Sequence, residues 1–172
     1  MEIYYINSEK FLKTHNIDFL HQYADNKEFK SQKRFIQYTL GRYLVKTAGE
    51  KFYNLPDTTI EIQNKKPKFK YGNIKFSISH SSKIIAAAFD KFECGLDIEE
   101  MKPRNLNELS KYYEQKFETQ EDFYKFWTEN EATIKLQQKA KTKYSKIIEN
   151  KYMLTVVSSD EKFSEPTDII EL

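Results

Sequence analysis

Carboxylates at alternate positions of one short segment are the first side chains in this chain whose types and spacing suggest chemistry. Asp97 and Glu99 alternate with the apolar residues Leu96 and Ile98. In an extended strand alternate side chains lie on the same face, so the apolar pair would face the core and hold the two acids together. Adjacent negative charges repel each other unless a cation lies between them. The spacing therefore indicates either a cation site or the solvated face of an edge strand, which commonly shows the same alternation.

A third carboxylate, Glu131, interrupts the apolar stripe of a helix that we predict further along the chain. The stripe has apolar residues at helical spacing, namely Phe123, Phe126, Trp127 and Ile134. Glu131 and Lys135 are four residues apart, so an ion pair between them would stabilise the helix by about a few tenths of a kcal/mol. Alternatively, Glu131 completes an oxygen ligand set with Asp97 and Glu99. Lys135 would then contact a phosphate oxygen.

The chemistry of these donors favours a hard divalent cation beside a phosphate. Mg²⁺ binds a few carboxylates and keeps places for waters and phosphate oxygens. Zinc is not expected, because the three histidines and the single cysteine are widely scattered. The segment F-S-I-S-H-S at 76–81 predicts a phosphate-binding turn in which His80 faces the ligand. Taken alone, a histidine in such a place more often bonds only to the backbone.

Helices and short strands alternate in the part of the chain that must position these residues. Apolar residues at helical spacing predict a long helix over about 26–53, which Gly41 weakens at its middle. Further helices are predicted over Leu106–Phe117 and from Glu121 to about Gln138, the latter opened by a capping box of Thr119 and Asp122. Strands are predicted at Ile60–Ile62, Ile74–Ile78, Ile84–Phe89, Cys94–Ile98 and Tyr152–Val157, with turns at 65–67, 81–83 and 90–91.

This order of elements indicates an α+β fold, in which the strands before residue 99 form a small antiparallel meander. The chain has 172 residues, which is enough for one domain or for two small lobes that share an interface. Cys94, the single cysteine, is expected to be a small core residue.

Basic residues are clustered, although the net charge is only +2. One cluster lies at 27–46 and another at 135–146, and each is either the solvated face of a helix or a surface that attracts a polyanion or an acidic protein. The longest apolar run, Ile84–Phe89, is too short to span a bilayer, and the N-terminus lacks the features of a signal peptide. We therefore expect a cytoplasmic protein that does not bind membranes.

Four short blocks in a fixed order carry a family resemblance. They are Lys66-Pro67, F-S-I-S-H-S at 76–81, G-L-D-I-E at 95–99 and W-T-E-N-E-A-T-I-K at 127–135. The series resembles the 4′-phosphopantetheinyl transferases of the surfactin-synthetase-activating type. The resemblance implies two similar α/β lobes with antiparallel sheets packed on helices, related by a pseudo-twofold axis, with bounds of 1–90 and 91–172. It also implies transfer of phosphopantetheine from coenzyme A to a serine of an acyl or peptidyl carrier protein, with release of adenosine 3′,5′-bisphosphate.

The same resemblance implies a role for each matching residue. Asp97, Glu99 and Glu131 would bind Mg²⁺ or Mn²⁺, and Glu131 would also be the general base for the carrier serine. Lys135 would stabilise charge on the pyrophosphate. The residues expected to contact coenzyme A are Lys66 at the adenosine 3′-phosphate, Ser79 and His80 at its phosphates and, as candidates on the basic helix, Lys30, Lys33, Arg34 and Lys46. We expect the protein to act as a monomer, without nucleic acid as a partner.

Two departures from the family pattern leave other functions open. Asn130 stands where the family has a lysine before Glu131, and Lys65 stands where the family has a glycine before the Lys-Pro pair. A catalytically silent relative that binds coenzyme A or a carrier protein is therefore one alternative. A basic nucleic-acid-binding protein is another, since Tyr and Phe are interleaved with the lysines, but it leaves the three acids unexplained.

Overall fold

The computed structural model of the chain describes residues 1–161, 166 and 169–172. The positions between these ranges belong to the predicted second lobe and lie outside the described residues. Nine strands, four α-helices and a 3₁₀-helix are present in the described part, in the order β1 Glu2–Asn7, α1 Ser8–Thr14, the 3₁₀-helix Ile17–Tyr23, α2 Gln32–Lys51, β2 Ile60–Gln63, β3 Lys66–Phe69, β4 Lys75–Ser81, β5 Ile84–Asp90, β6 Cys94–Glu100, α3 Leu106–Tyr112, α4 Gln120–Leu136, β7 Thr142–Ile148, β8 Tyr152–Ser158 and β9 Ile169–Glu171.

The strands form two main sheets and a hairpin. The first sheet has the order β4-β5-β1-β9, in which β1 pairs antiparallel with β5 and parallel with β9. The second sheet is antiparallel and has the order β6-β8-β7, while β2 and β3 form a separate hairpin. The predicted α+β class is confirmed. The pseudo-twofold relation between two lobes stays a prediction.

The two sheets pack face to face between two long helices. On one face of the first sheet, α2 packs through Leu40 and Leu44 against Ile85 of β5. On its other face, Ala86 of β5 packs against Leu96 of β6, and thereby against the second sheet. Helix α4 covers the far face of the second sheet. The layers therefore follow the order α2, first sheet, second sheet, α4.

The predicted long helices are confirmed, with shorter bounds. Helix α2 begins at Gln32, where the Ser31 hydroxyl caps it by accepting a hydrogen bond from the Arg34 N–H at 3.3 Å. Gly41 does not break α2. The capping box of α4 is present, since the Asp122 N–H donates to Thr119 Oγ1 at 3.1 Å and the Thr119 N–H donates to Asp122 Oδ2 at 2.9 Å.

The predicted meander is wrong, because β6 does not pair with β5. The free edge of β5 is taken by β1, a strand that the sequence analysis did not predict, with Tyr4 opposite Ala87. The chain therefore leaves the first sheet after Asp90, and β6 pairs instead with β8, where Asp97 lies opposite Thr155. The carboxylate-bearing strand thus belongs to the second sheet.

Two local predictions are also corrected by the structure. Lys66 and Pro67 do not form a turn but begin β3, and the turn is made by Asn64 and Lys65, whose φ angles are 51° and 64°. The basic segment around Lys143 is not a helix face but the edge strand β7. Lysines are common on edge strands, where they oppose pairing with another chain. Helix α3 ends at Tyr112 rather than Phe117, since Glu114 has a left-handed φ of 51°.

The chain termini meet in the first sheet. Strand β9 lies in the predicted second lobe, yet it pairs with β1, with Tyr4 opposite Ile170. The Lys10 ammonium lies 2.8 Å from Glu171 and 3.2 Å from Glu149, and so connects both termini to the loop after β7. None of the helices in the described ranges is long and apolar enough to cross a membrane.

Candidate active site at the junction of the two sheets

Strand β4 at the edge of the first sheet meets strand β6 at the edge of the second through a ladder of serine hydroxyls. Each hydroxyl accepts a hydrogen bond from a backbone N–H of β6: Ser77 from Leu96 at 2.9 Å, Ser79 from Ile98 at 3.4 Å, and Ser81 from Glu100 at 3.0 Å. The spacing of two residues on both strands follows from the alternation of side chains along a strand. The serine ladder, as we call these three contacts, places the segment at 76–81 beside the predicted carboxylates. The prediction that this segment is a turn is wrong: it is strand as far as Ser81, and the turn follows at Ser82, whose φ is 52°.

Two serines of the ladder also hold the carboxylates of β6. Ser79 Oγ donates to Asp97 Oδ1 at 2.8 Å, and Ser81 Oγ donates to Glu99 Oε2 at 2.7 Å. The equivalent position beside Ser77 is Gly95, which has no side chain to accept a bond. The Asp97 and Glu99 side chains are therefore fixed by their attachment to β6 and by hydrogen bonds from β4 of the first sheet.

Asp97 is almost fully buried, with 5% of its surface exposed. Its Oδ1 atom accepts from Ser79 and lies 2.7 Å from the Lys135 ammonium, which also donates to Ser79 Oγ at 2.9 Å. Its Oδ2 atom is buried and has no hydrogen-bond partner among the described residues. A buried carboxylate oxygen without a partner is costly, so this atom is a ready ligand for a cation.

Close contact between α4 and β6 brings Lys135 to Asp97. A Cβ atom on Gly95 would lie 1.9 Å from the carbonyl oxygen of Ala132, so the two backbones could not approach this closely with any other residue at position 95. One turn earlier, the hydroxyls of Thr128 and Thr155 lie 2.7 Å apart. Lys135 therefore pairs with Asp97, and the alternative surface ion pair with Glu131 is not formed.

The electrostatics of Glu99 show that it is a partly desolvated carboxylate near another negative charge. Burial raises its pKa above the usual value, and the Asp97 charge acts in the same direction. The hydrogen bond from Ser81 and the positive charges of Lys135 and Arg104 oppose this rise. A cation between Asp97 and Glu99 would relieve the repulsion.

Glu131 does not form a metal-binding group with the other predicted ligands among the described residues. It is half-buried, and within the described part of the chain it makes no hydrogen bond or ion pair; its charge helps to raise the pKa of Tyr113. No three His, Cys, Asp or Glu side chains in the described ranges form a group that could hold a metal ion. The structure thus brings Asp97, Glu99 and Lys135 together, whereas the part of Glu131 in metal binding stays a prediction.

The two carboxylates nevertheless fit a hard divalent cation. Mg²⁺ is usually bound by one or two carboxylates together with waters and the phosphates of a substrate, rather than by a cage of protein ligands. Asp97 and Glu99 lie on one face of β6, and Asp97 has an unsatisfied oxygen. The donor set is entirely oxygen, which suits Mg²⁺ or Mn²⁺.

A cleft of about 420 Å³ lies on the other side of β4, against α2. Its lining combines aromatic, apolar and cationic side chains, including Phe29, Arg34, Tyr38, Arg42, Ile78 and His80. His80 is at the surface of the cleft, but crowding by neighbouring atoms disfavours the charged imidazole and lowers its pKa. The positive charges of Lys135 and Arg34 lower it further. An anion bound here would favour the protonated ring.

Arg42, which was not among the predicted site residues, also lines the cleft and is only 6% exposed. Its guanidinium donates to the Tyr38 hydroxyl at 3.1 and 3.2 Å and lies 3.0 Å from the Asp25 carboxylate. Its Nη1 atom is buried and has no partner in the described part of the chain. The spacing of Tyr38 and Arg42, four residues apart on α2, was the signal that could have indicated this contact.

The other predicted coenzyme A contacts differ in their surroundings. Lys66 is buried, and its ammonium lies 2.9 Å from both Glu93 Oε2 and the Cys94 carbonyl oxygen, so it is occupied by protein partners. Lys30 and Lys33 are exposed near the start of α2, and Lys46 is half-buried further along it. None of these four lysines lines the cleft of α2. Their roles stay predictions.

A second pocket, of about 290 Å³, adjoins Glu99 on the side of α3 and α4. Aromatic residues and one cation line it, namely Arg104, Tyr113, Phe123, Tyr124 and Trp127. Arg104 Nε donates to the Tyr124 hydroxyl at 3.2 Å. The Glu99 carboxylate therefore lies between the serine ladder and an apolar pocket that could accept a substrate.

Comparison with known proteins agrees with the family resemblance of the sequence motifs. No protein-family model matches the chain. A 4′-phosphopantetheinyl transferase from Bacillus subtilis, ffp, is 27% identical over 163 residues, which cover 81% of this chain and 71% of that protein. This similarity supports the 4′-phosphopantetheinyl transferase superfamily. It supports transferase function in general.

Proposed function

We propose that the chain transfers 4′-phosphopantetheine from coenzyme A to a serine of an acyl or peptidyl carrier protein. The observation that carries the proposal is the buried Asp97 carboxylate, with an unsatisfied oxygen, next to Glu99 and Lys135 at the junction of the two sheets. The serine oxygen would form a bond to the phosphorus of the pantetheine phosphate. The bond from this phosphorus to the bridging oxygen would break, and adenosine 3′,5′-bisphosphate would leave.

The cleft of α2 suits the adenosine end of coenzyme A. Its volume of about 420 Å³ is within the usual range of small-molecule sites, and its lining combines aromatic rings with cations. Arg34 and His80 would interact with phosphate groups, since both line the cleft and both are exposed. The pyrophosphate would then extend past β4 towards Lys135.

The carboxylate pair suits Mg²⁺ or Mn²⁺, which Asp97 and Glu99 would hold together with pyrophosphate oxygens. Such a cation, when bound, offsets the charge that develops on the phosphates. Lys135 supplies a second positive charge at the same place, 2.7 Å from Asp97 Oδ1. Glu131 is our candidate for the base that takes the proton from the carrier serine, because it is half-buried, has no partner among the described residues and follows Trp127 of the aromatic pocket by one turn.

We also propose for this chain the two-lobe organisation of the resembled family. We assign the two sheets, each packed on one long helix, to the two lobes of the resembled family. We also propose that the chain acts as a monomer in the cytoplasm.

Mass spectrometry of a carrier protein tests the proposed function. The protein is incubated with coenzyme A, Mg²⁺ and the acyl carrier protein of its own host. We expect the carrier to gain the mass of one phosphopantetheine. A carrier variant in which the acceptor serine is replaced by alanine should gain nothing. Binding of coenzyme A without any mass gain would instead identify the catalytically silent relative, which the exposed Asn130 in place of the family lysine makes the second candidate.

A further inference from the structure

The three serines of the ladder make the same backbone contact but differ in what their protons do. An N–H can only donate, so each serine oxygen that accepts from β6 must direct its own O–H elsewhere. Ser81 directs it to Glu99 Oε2 at 2.7 Å, and Ser79 directs it to Asp97 Oδ1 at 2.8 Å. Ser77 accepts from the Leu96 N–H at 2.9 Å, opposite a strand position without a carboxylate.

We propose that Ser81 is a positioning residue, which fixes the Glu99 carboxylate in the orientation that binds a divalent cation. This inference deepens the proposed function and rests on it. Both ends of the contact are anchored, because the Ser81 oxygen is also tied to the Glu100 N–H at 3.0 Å, in the strand that carries Glu99. The Ser81 oxygen therefore fixes both the spacing between β4 and β6 and the orientation of the Glu99 side chain.

A hydroxyl is suited to this task because it orients the carboxylate without neutralising it. Asp97 has Lys135 within 2.7 Å, so much of its charge is already offset. Glu99 has no ion pair among the described residues, and Arg104 acts on it only through the longer-range field. Glu99 held by Ser81 through Oε2 thus keeps its other carboxylate oxygen for a cation. Partners of this kind, behind a metal ligand, typically contribute about 10- to 100-fold to metal affinity.

Ser77→Ala is a matched control for Ser81→Ala. Both substitutions delete one hydroxyl of the same strand and one hydrogen bond to a backbone N–H of β6. Both should therefore lose the contribution of that hydrogen bond to the free energy of unfolding, to a similar extent. Only Ser81→Ala also releases a carboxylate of the site.

Binding of Mn²⁺ to the full chain, in the absence of a carrier protein, tests the inference. Free Mn²⁺ is followed by electron paramagnetic resonance, and stability is measured by urea unfolding. We expect Ser81→Ala to weaken Mn²⁺ binding about tenfold or more, and Ser77→Ala to leave it unchanged. Ser81→Thr keeps a hydroxyl and should bind Mn²⁺ like the wild type.

The outcomes separate this inference from the proposed function. If Ser81→Ala and Ser77→Ala bind Mn²⁺ equally well while the wild type transfers phosphopantetheine, Ser81 is only structural and the inference is overturned. If the wild type binds Mn²⁺ and Ser81→Ala does not, but no carrier gains mass, the positioning role stands and the transferase proposal fails. A wild type that binds no Mn²⁺ would overturn both the metal assignment and the inference.

Discussion

At the scale of single residues, the site depends on side chains whose charges are incompletely satisfied by the protein. The Asp97 carboxylate has a buried oxygen without a partner, and the Arg42 guanidinium has a buried nitrogen without one, in the described part of the chain. Such groups are expensive to bury, so they are expected where a ligand completes their contacts. They lie on opposite sides of β4, one towards the carboxylate pair and one at the cleft of α2.

The pKa of His80 gives a prediction for ligand binding. Desolvation lowers this pKa below its usual value near 6.5, so the ring is neutral at pH 7 in the free protein. The unfolded chain then binds the proton more readily than the folded protein does. The folded protein therefore loses stability as pH falls from about 6.5 towards the lowered pKa of His80.

A bound phosphate favours the protonated His80 ring, so adenosine 3′,5′-bisphosphate should raise the pKa of His80 and bind more tightly at lower pH. NMR titration with and without the nucleotide measures the shift, and His80→Gln assigns the signal. An unchanged pKa would remove His80 from the phosphate site.

Lys66 provides a prediction that separates structure from binding. Its buried ammonium pairs with Glu93 and the Cys94 carbonyl, so Lys66→Ala removes one of the two lysine partners of Glu93 and leaves the carbonyl without this donor. Because Glu93 is partly exposed, we expect a loss of about 1–3 kcal/mol in the free energy of unfolding, measured by urea denaturation. Lys65→Ala, in the adjacent turn, should cost little. If Lys66 instead contacts the 3′-phosphate, Lys66→Ala would raise the KM for coenzyme A far more than for 3′-dephospho-coenzyme A and leave stability nearly unchanged.

At the scale of elements, the site is assembled by helices that pack on β6 and on β4. Gly95 lets the α4 backbone lie directly on β6, whereas α2 packs at Gly41 against the side chain of Ile78 on β4. The first contact brings Lys135 to Asp97, and the second forms part of the wall of the cleft. The helices therefore position the site from both sides of the two adjacent edge strands, β4 and β6.

The two glycines differ in how much room they leave, which gives a matched pair of variants. A Cβ at Gly95 would lie 1.9 Å from the Ala132 carbonyl oxygen, so Gly95→Ala should displace α4 and cost about 3 kcal/mol or more. A Cβ at Gly41 would lie 3.4 Å from Ile78 Cγ2, an ordinary contact, and alanine favours a helix. Gly41→Ala should therefore be neutral or stabilising. Urea unfolding of both variants measures this difference, and equal stabilities would mean that α4 does not rest on Gly95.

At the scale of the whole molecule, the sequence predicted the long helices, most central strands and the carboxylate pair, because each follows from local periodicity. It did not predict β1, whose pairing with β5 removes β6 from the first sheet. Pairing partners far apart in the chain cannot be obtained from alternation alone. The serine ladder was missed for the same reason, although its residues alternate at 77, 79 and 81. Their function became visible only when β4 and β6 were side by side.

The rate of carrier modification as a function of Mg²⁺ concentration, compared between wild type and Asp97→Asn, tests the central claim most directly. Asparagine keeps the size of the side chain but removes its charge, so the metal should be lost while the fold is retained. Glu100→Gln is the control, because Glu100 points to the other face of β6 and pairs with Lys102 and Lys151 near the surface. The account predicts that transfer requires Mg²⁺, stops in excess EDTA, falls about a hundredfold or more in Asp97→Asn and is unchanged in Glu100→Gln. Full transfer in EDTA, or in Asp97→Asn at every Mg²⁺ concentration, would contradict it.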